Sequence, residues 1–472
     1  METKKLSIKT ASYPLPEDAP KRLKLFVILT PMFFMLAISL PSFIRQQLTP
    51  VICEEANSTA YYSLIMLIST MSGSIFSPIV GKLGDLYGRK RLSLFCLVPF
   101  AGSLILCGLA RGPVLLAISY ALIGIFYSGL DSATNGMVMD AFNRKDSTQI
   151  LGVLNAANTI AGILGPILIG YLADLIGAQK SMIILAAVVM AAWVLILVGY
   201  PDIRNIKRDV VIDYKGVILL PVAIGPICVA IAVGGNQLPW NSPWIIAMFV
   251  VSVICCVLFV RTEKKQKQPI VNIGLLKNKM IIPALLFMFA WRAMQSLLTY
   301  FNLYCREVLE FSSTQLGSLQ FFLWVNVIVA VLVGRYLSRK KNYRLIFSIS
   351  AILSVLAPLL FFLFMRPGLP FFWAVVLRIP QIIMVGFCMA PMNMYLGEIL
   401  KAEERGMGLA INMFFINLGT SVFNAIFSAV MNLFPGGIAD AFGPMCLVAV
   451  GIGVIRLLVV LVGIKNRIQA NS

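Results

Sequence analysis

Residues 81–91 read Gly81-Lys82-Leu83-Gly84-Asp85-Leu86-Tyr87-Gly88-Arg89-Lys90-Arg91. This polar stretch, too short to be a domain, lies between two long apolar runs, near 61–81 and 92–110. Positive residues after a membrane helix commonly mark the cytoplasmic side, which accounts for Lys90 and Arg91. It does not account for Gly81, Asp85, Gly88 and Arg89 at these spacings.

Outward from that stretch the chain is apolar. Of its 472 residues, 59% are hydrophobic and only 12% charged, with a mean hydropathy of +0.89. Soluble domains carry roughly a quarter charged residues, so this is an integral membrane protein. The apolar runs are helix-length, which predicts an all-α protein rather than a barrel. About fourteen spans of roughly 18–25 residues are expected, each long enough to cross a bilayer. They fall near 24–48, 61–81, 92–110, 113–138, 150–174, 180–199, 216–234, 244–261, 280–303, 313–334, 344–364, 370–395, 406–433 and 441–464.

The net charge of +19 would elsewhere point to nucleic acid. Here Lys and Arg gather in loops on alternate sides of the apolar runs, so the charge sets topology and no nucleic-acid partner is expected. With the N-terminus inside, the inner loops hold Arg89, Lys90, Arg91, Arg144, Lys145, Arg204, Lys207, Arg208, Arg335, Arg339, Lys340, Lys341, Arg405 and Lys465. The outer loops hold little beyond Arg111, Lys180, Arg306 and Arg366. This predicts an even number of spans with both termini cytoplasmic. The 9 Cys lie mostly inside apolar runs and there are 0 His, which argues against a disulfide framework, a metal site and a His-based proton relay. Residues 1–23 lack a signal-peptide core and are expected to be a short, mobile cytoplasmic tail; 465–472 form a second tail.

The opening stretch resembles the loop signature of the major facilitator superfamily, G-x-L-a-D-r-x-G-R-k, which joins the second and third membrane helices. The matching residues are Gly81, Leu83, Asp85, Gly88, Arg89 and Lys90. Between the halves 24–200 and 280–464, the region 201–279 holds two further apolar runs. It opens with Ile212-Asp213-Tyr214-Lys215-Gly216 and closes with Pro269-Ile270-Val271-Asn272-Ile273-Gly274-Leu275-Leu276. This arrangement looks like the fourteen-helix drug:proton antiporter branch, with two six-helix bundles and two extra central helices. An internal repeat agrees with it. Met139-Asp140-Ala141-Phe142-Asn143-Arg144 is echoed by Gly397-Glu398-Ile399-Leu400-Lys401, and Gly334-Arg335-Tyr336-Leu337-Ser338-Arg339-Lys340-Lys341 is a degenerate copy of the opening motif. Two similar halves suit a transporter whose bundles rock about a central site.

The resemblance implies roles. Asp85 would contact the other half and Arg89 would pair with Asp140, so Gly81, Asp85, Gly88, Arg89 and Asp140 form an inner gate. Gly152, Gly165, Pro166 and Gly170 match the antiporter signature of the fifth helix, where Gly and Pro permit bending and close packing; Ala161 and Ile169 replace two of its glycines. Arg378-Ile379-Pro380-Gln381 is similar to the second-half counterpart of the fourth-helix signature R-x-x-q-G. In the fourth helix itself Gly124 matches but Tyr120 stands at the arginine position, and Pro41 stands where the family has an acid in the first helix. The resemblance therefore says more about fold than about coupling ion or substrate.

Ionisable residues inside spans are costly and face the protein interior. They are Arg45, Asp131, Arg292, Arg378 and Arg456. Asp131 is the one carboxylate placed well inside a span. Removal from water disfavours the charged form of a carboxyl group, which suits a carrier of one proton per cycle; a structural pairing with Arg292 or another cation is the alternative. Arg456, near the end of the last span, is expected to snorkel to the headgroups. Arg45, Arg292, Gln295, Arg378, Gln381, Asn393 and Trp291 are expected to line a substrate cavity. No P-loop and no nucleophile–base–acid set is present, so an enzyme is not expected, nor any cofactor. The expected activity is proton-coupled efflux of amphipathic small molecules by a monomer in the cell membrane. The alternatives are a facilitator or uptake carrier for an organic anion and, in another class, a polytopic membrane enzyme or sensor. The expected partners are a small-molecule substrate, protons and the lipid bilayer.

Overall fold

A computed structural model of the chain describes residues 15, 20–142, 144–202, 214–234, 238–264, 280–400 and 405–464. Every regular element in them is helical. The expected lead-in to the extra helices (212–213), the Pro-led stretch 269–276, Lys401 and residues 1–14, 16–19 and 465–472 lie outside the described residues; residues 21–23, expected in the N-terminal tail, instead open the first helix. The chain divides into two compact units, Met1–Ile212 and Asp213–Ser472.

The first unit contains α1 (Lys21–Glu55), α2 (Tyr62–Tyr87), α3 (Arg89–Leu109), α4 (Pro113–Ala141), α5 (Arg144–Ile176) and α6 (Ala178–Gly199). Here α1 packs on α5 and α6, α2 on α4, and α3 on α4 and α6. Small residues set the tightest of these crossings, as expected where lipid supplies no hydrophobic drive between helices. A Cβ at Gly124 would collide with the Ser69 carbonyl of α2, and one at Gly165 with Leu40 of α1. The turn from α2 to α3 is made by Gly88 alone, at φ 89°. That backbone conformation suits glycine and disfavours any residue with a Cβ. Leu15, in the tail expected to be mobile, is buried, and its N–H donates to the Ala141 carbonyl at 2.9 Å.

The second unit contains α7 (Tyr214–Val233), α8 (Pro243–Glu263), α9 (Ile281–Glu307), α10 (Ser313–Ser318), α11 (Leu323–Lys340), α12 (Tyr343–Phe364), α13 (Phe371–Gly386), α14 (Met389–Ile399), α15 (Arg405–Asn432) and α16 (Ile438–Gly463). The packing of the first unit recurs. Helix α9 lies on α15 and α16, α12 on α16, and α11 on α13 and α14. Its core is aromatic: Tyr304 stacks on Phe442 with ring centroids 4.7 Å apart, and Phe301 meets Phe361 at 4.8 Å. The additional pair stands apart from this repeat, α7 packing on α15 and α8 on α7. Helix α8 leaves Trp244, Ile246, Val250, Val253, Ile254 and Val257 exposed, an apolar periphery that belongs against lipid.

Two expected single spans are each broken. The run expected at 313–334 becomes α10 and α11, separated by turn residues 319–322, and that at 370–395 becomes α13 and α14, separated by Phe387 and Cys388. Among the described residues, 12 helical stretches are long and apolar enough to cross a bilayer, each broken helix counting as one. Helices α2 and α7 carry shorter apolar stretches, Leu64–Gly73 and Val222–Ile231. The protein is a multi-pass membrane protein.

Candidate functional site: ionic pairs and buried arginines in two units

The cations of the opening motif begin α3, where the positive end of the helix dipole makes them unwelcome. Two of the three are answered at the C-terminal ends of other helices. Arg89 Nε lies 3.0 Å from Asp140 Oδ2 in the last turn of α4. Lys90 Nζ donates to the carbonyls of Leu197 and Tyr200, at 2.9 and 2.5 Å, where α6 ends. Arg91 reaches Asp202 at 3.2 Å. Lys90, explained from sequence by topology alone, thus also caps α6. The opposite end of α6 is held by an acid that the sequence did not single out: Glu55 accepts from the N–H groups of Ala178 and Gln179 at 2.7 and 2.8 Å. A carboxylate on free N–H groups at a helix start is a favourable charge–dipole contact.

The Arg89–Asp140 pair is half-buried, the side chains being 21% and 22% exposed. Gly136, one turn before Asp140, makes room for it, since a Cβ there would fall on the Arg89 guanidinium. The second unit holds a counterpart. Lys341, at the end of the degenerate motif copy, lies 3.3 Å from Glu398, the repeat partner of Asp140. This pair is more open, at 60% and 27% exposure. Gly81, Asp85 and Gly152 lie within α2 and α5, but their side-chain environments are outside the described residues. Gly165, Pro166 and Gly170 are buried on α5.

The embedded arginines sort into two kinds. Arg378 is 2% exposed, and its terminal N–H groups are spent on the α10–α11 break, at 3.0 Å to the Leu319 carbonyl and 3.5 Å to Gln320 Oε1. A helix interrupted in a membrane leaves carbonyls that need such donors. Arg456 is spent instead on Ser350 of α12 and on the Cys388 thiol at the α13–α14 break. It is 0% exposed, lies 3.9 Å over the Phe287 ring, and donates to Ser350 O at 3.3 Å, Ser350 Oγ at 3.0 Å and Cys388 Sγ at 2.8 Å. The expected snorkelling of Arg456 is therefore corrected: its face of α16 turns into the core, where donors find acceptors without reaching the headgroups.

Arg45 and Arg292 are only half-buried. Arg45 donates to Ser69 Oγ, and its guanidinium lies 5.6 Å from the Tyr120 ring centroid; Tyr120 OH meets Thr49 Oγ1 at 3.0 Å. A cation thus stands at position 120 after all, supplied by α1 rather than by α4. Tyr120 is the eighth residue of α4 and Arg378 the eighth of α13. Arg378 in turn lies 5.7 Å from the Phe301 ring of α9. Each unit therefore has a cation–ring pair between corresponding helices, with cation and ring exchanged. Arg292 Nε donates to Thr420 Oγ1 at 2.6 Å, and the guanidinium lies 5.3 Å from the Trp291 ring centroid. Gly419 brings α15 close at this point, since a Cβ there would stand 2.6 Å from the Phe289 carbonyl. One turn on, Gln295 accepts from Gln381 at 3.3 Å, while Asn393 is exposed on α14. Asp131 is half-buried on α4, one turn from Tyr127, in the unit that holds Arg45.

A family profile described as Major Facilitator Superfamily matches residues 25–210 and 214–367. Multidrug resistance protein 3 of Bacillus subtilis (strain 168) is 26% identical over 388 residues, covering 82% of this chain and 75% of that protein. Multidrug transporter protein MdtP of the same organism is 24% identical over 376 residues, covering 78% and 68%. Among solved structures, a peptide transporter POT (E310Q mutant) superposes with a TM-score of 0.66 at 14% identity, over 92% of this chain and 93% of that one; this likeness speaks for the fold alone. With the profile spanning most of its length and the two-unit helical repeat on the page, the chain belongs to the Major Facilitator Superfamily of transporters.

Proposed function

We propose that this protein is a proton-coupled exporter of amphipathic small molecules, working by alternating access in the cell membrane as a monomer with both termini cytoplasmic. The observation that carries the proposal is the repeated ionic pair, Arg89–Asp140 in one unit and Lys341–Glu398 in the other. Half-exposed charge pairs at matching ends of two repeats are contacts that a rocking cycle can make and break. In this proposal α2 and α7 also span the bilayer, giving the fourteen helices of the drug:proton antiporter branch, and Gly81, Asp85, Gly88, Arg89 and Asp140 form the inner gate. The two relatives named for multidrug transport support the substrate class. Asp131 is the proton carrier, Gly152, Gly165, Pro166 and Gly170 shape the antiporter helix, and Arg45, Arg292, Gln295, Arg378, Gln381, Asn393 and Trp291 belong to the substrate path.

The test is flux in proteoliposomes under an imposed pH gradient. Export against its gradient, driven by proton entry and slowed by Arg89→Gln, is expected; flux indifferent to the gradient would refute the coupling. A second reading, an organic-anion facilitator or uptake carrier, draws on the two half-buried arginines and would show equilibrating flux without protons.

A further inference from the structure

The described part of α9 carries a donor-rich site with no acid to balance it. Arg292 has no carboxylate partner among the described residues, and only its Nε is hydrogen-bonded, to Thr420. Its two terminal nitrogens have no acceptor among the described residues, and the side chain is only half-buried. Beside them, Trp291 is 3% exposed and its Nε1–H is buried without an acceptor. A buried donor left unpaired is costly, and a cation left unpaired inside a membrane protein more so. The arginine is already oriented. Thr420 fixes Nε, the indole ring flanks the guanidinium, and Gly419 lets α15 close over its stem.

We propose that Arg292 is the anchor for a carboxylate on the transported molecule. A planar guanidinium with both terminal nitrogens available matches the two oxygens of a carboxylate. Thr420 and the Trp291 ring hold that fork in place. Arg378 and Arg456 do not compete for the role, because their terminal donors are already hydrogen-bonded within the protein. The inference rests on the protein being a transporter of amphipathic molecules and adds that the polar head is anionic.

The test uses one hydrocarbon with three heads: 4-phenylbutyrate, 4-phenylbutyramide and 4-phenylbutylammonium, measured by thermal stabilisation and equilibrium binding to the purified full-length protein. Ligands of the native state raise its apparent stability by mass action. The carboxylate is expected to stabilise the protein where the amide and amine do not. Its Kd should weaken at least about tenfold, or ~1.4 kcal/mol, in Arg292→Gln, and severalfold in Arg292→Lys, which keeps the charge but not the planar fork. A carboxylate bound no better than the amide, or bound equally by both variants, overturns the site. Should Arg292→Gln not fold, Arg292→Lys decides. The two proposals fail separately. Carboxylate flux that ignores a pH gradient refutes proton coupling and leaves the anchor, whereas pH-driven flux of the amine without carboxylate binding does the reverse.

Discussion

Breaking the Arg89–Asp140 pair should reveal a measurable coupling where the matching pair in the second unit reveals almost none. Exposed ion pairs are worth ~0.2–1 kcal/mol, whereas removing one partner of a buried pair costs ~3–5 kcal/mol. With side chains 21% and 22% exposed and a 3.0 Å contact, Arg89 and Asp140 fall between these limits. Both also sit at the wrong end of a helix dipole, Arg89 at the start of α3 and Asp140 at the end of α4. Each therefore loses a further ~0.3–1 kcal/mol of compensation when its partner goes. A double-mutant cycle of Arg89→Gln and Asp140→Asn, read by equilibrium unfolding in mixed micelles, should give a coupling of about 1.5 kcal/mol, the double variant being less destabilised than the sum of the singles. The Lys341→Gln and Glu398→Gln cycle should give about 0.5 kcal/mol or less, because Lys341 is 60% exposed and its pair is screened. Equal couplings in the two units, or additivity at Arg89 and Asp140, would refute the assignment of the first pair as the stronger lock.

Other perturbations follow from the same contacts. Glu55→Ala removes both acceptors at the α6 start and should cost about 1–2 kcal/mol of stability, which Glu55→Gln recovers in part; no change in the unfolding midpoint would count against the cap. Gly124→Val places side-chain atoms against the Ser69 carbonyl and should abolish a monodisperse protein peak, while Gly102→Val, where a Cβ meets nothing within 4 Å, should not. Arg378→Gln strips the donor from the Leu319 carbonyl at the α10–α11 break and should cost about 1–3 kcal/mol, with faster hydrogen exchange at 319–325 than elsewhere in α11. Uniform exchange along α11 would show that the arginine does not hold the break.

Much of the fold was legible because the bilayer is a demanding solvent. Length and hydropathy place the apolar runs, and the motif at 81–91 with its degenerate copy at 334–341 exposes the repeat. The pairing of Arg89 with Asp140 came from resemblance, and the structure brings the two side chains together. What was not legible is the rotational phase of helices that are apolar all round. Arg456 sits on α16, where no hydrophobic stripe says which face is inward, so its burial against Phe287 and Cys388 was hidden. The α10–α11 break has no Pro or Gly among residues 319–322, and it depends on Arg378 from a distant helix. The partnership of Arg45 with Tyr120 is likewise tertiary: motif matching sees an arginine missing from α4 and is blind to one arriving from α1. Glu55 escaped notice because an acid at a helix end has a role only once α6 is placed beside it.

The proposed proton-coupled export assigns the proton to Asp131, so the most direct measurement compares wild type with Asp131→Asn in proteoliposomes, following flux of an amphipathic substrate across an imposed pH gradient. Wild-type flux that rises with the gradient, and a variant that folds and binds substrate but no longer responds to pH, are the results expected of Asp131 as the proton carrier. An Asp131→Asn protein whose flux tracks the gradient as the wild type does would contradict it.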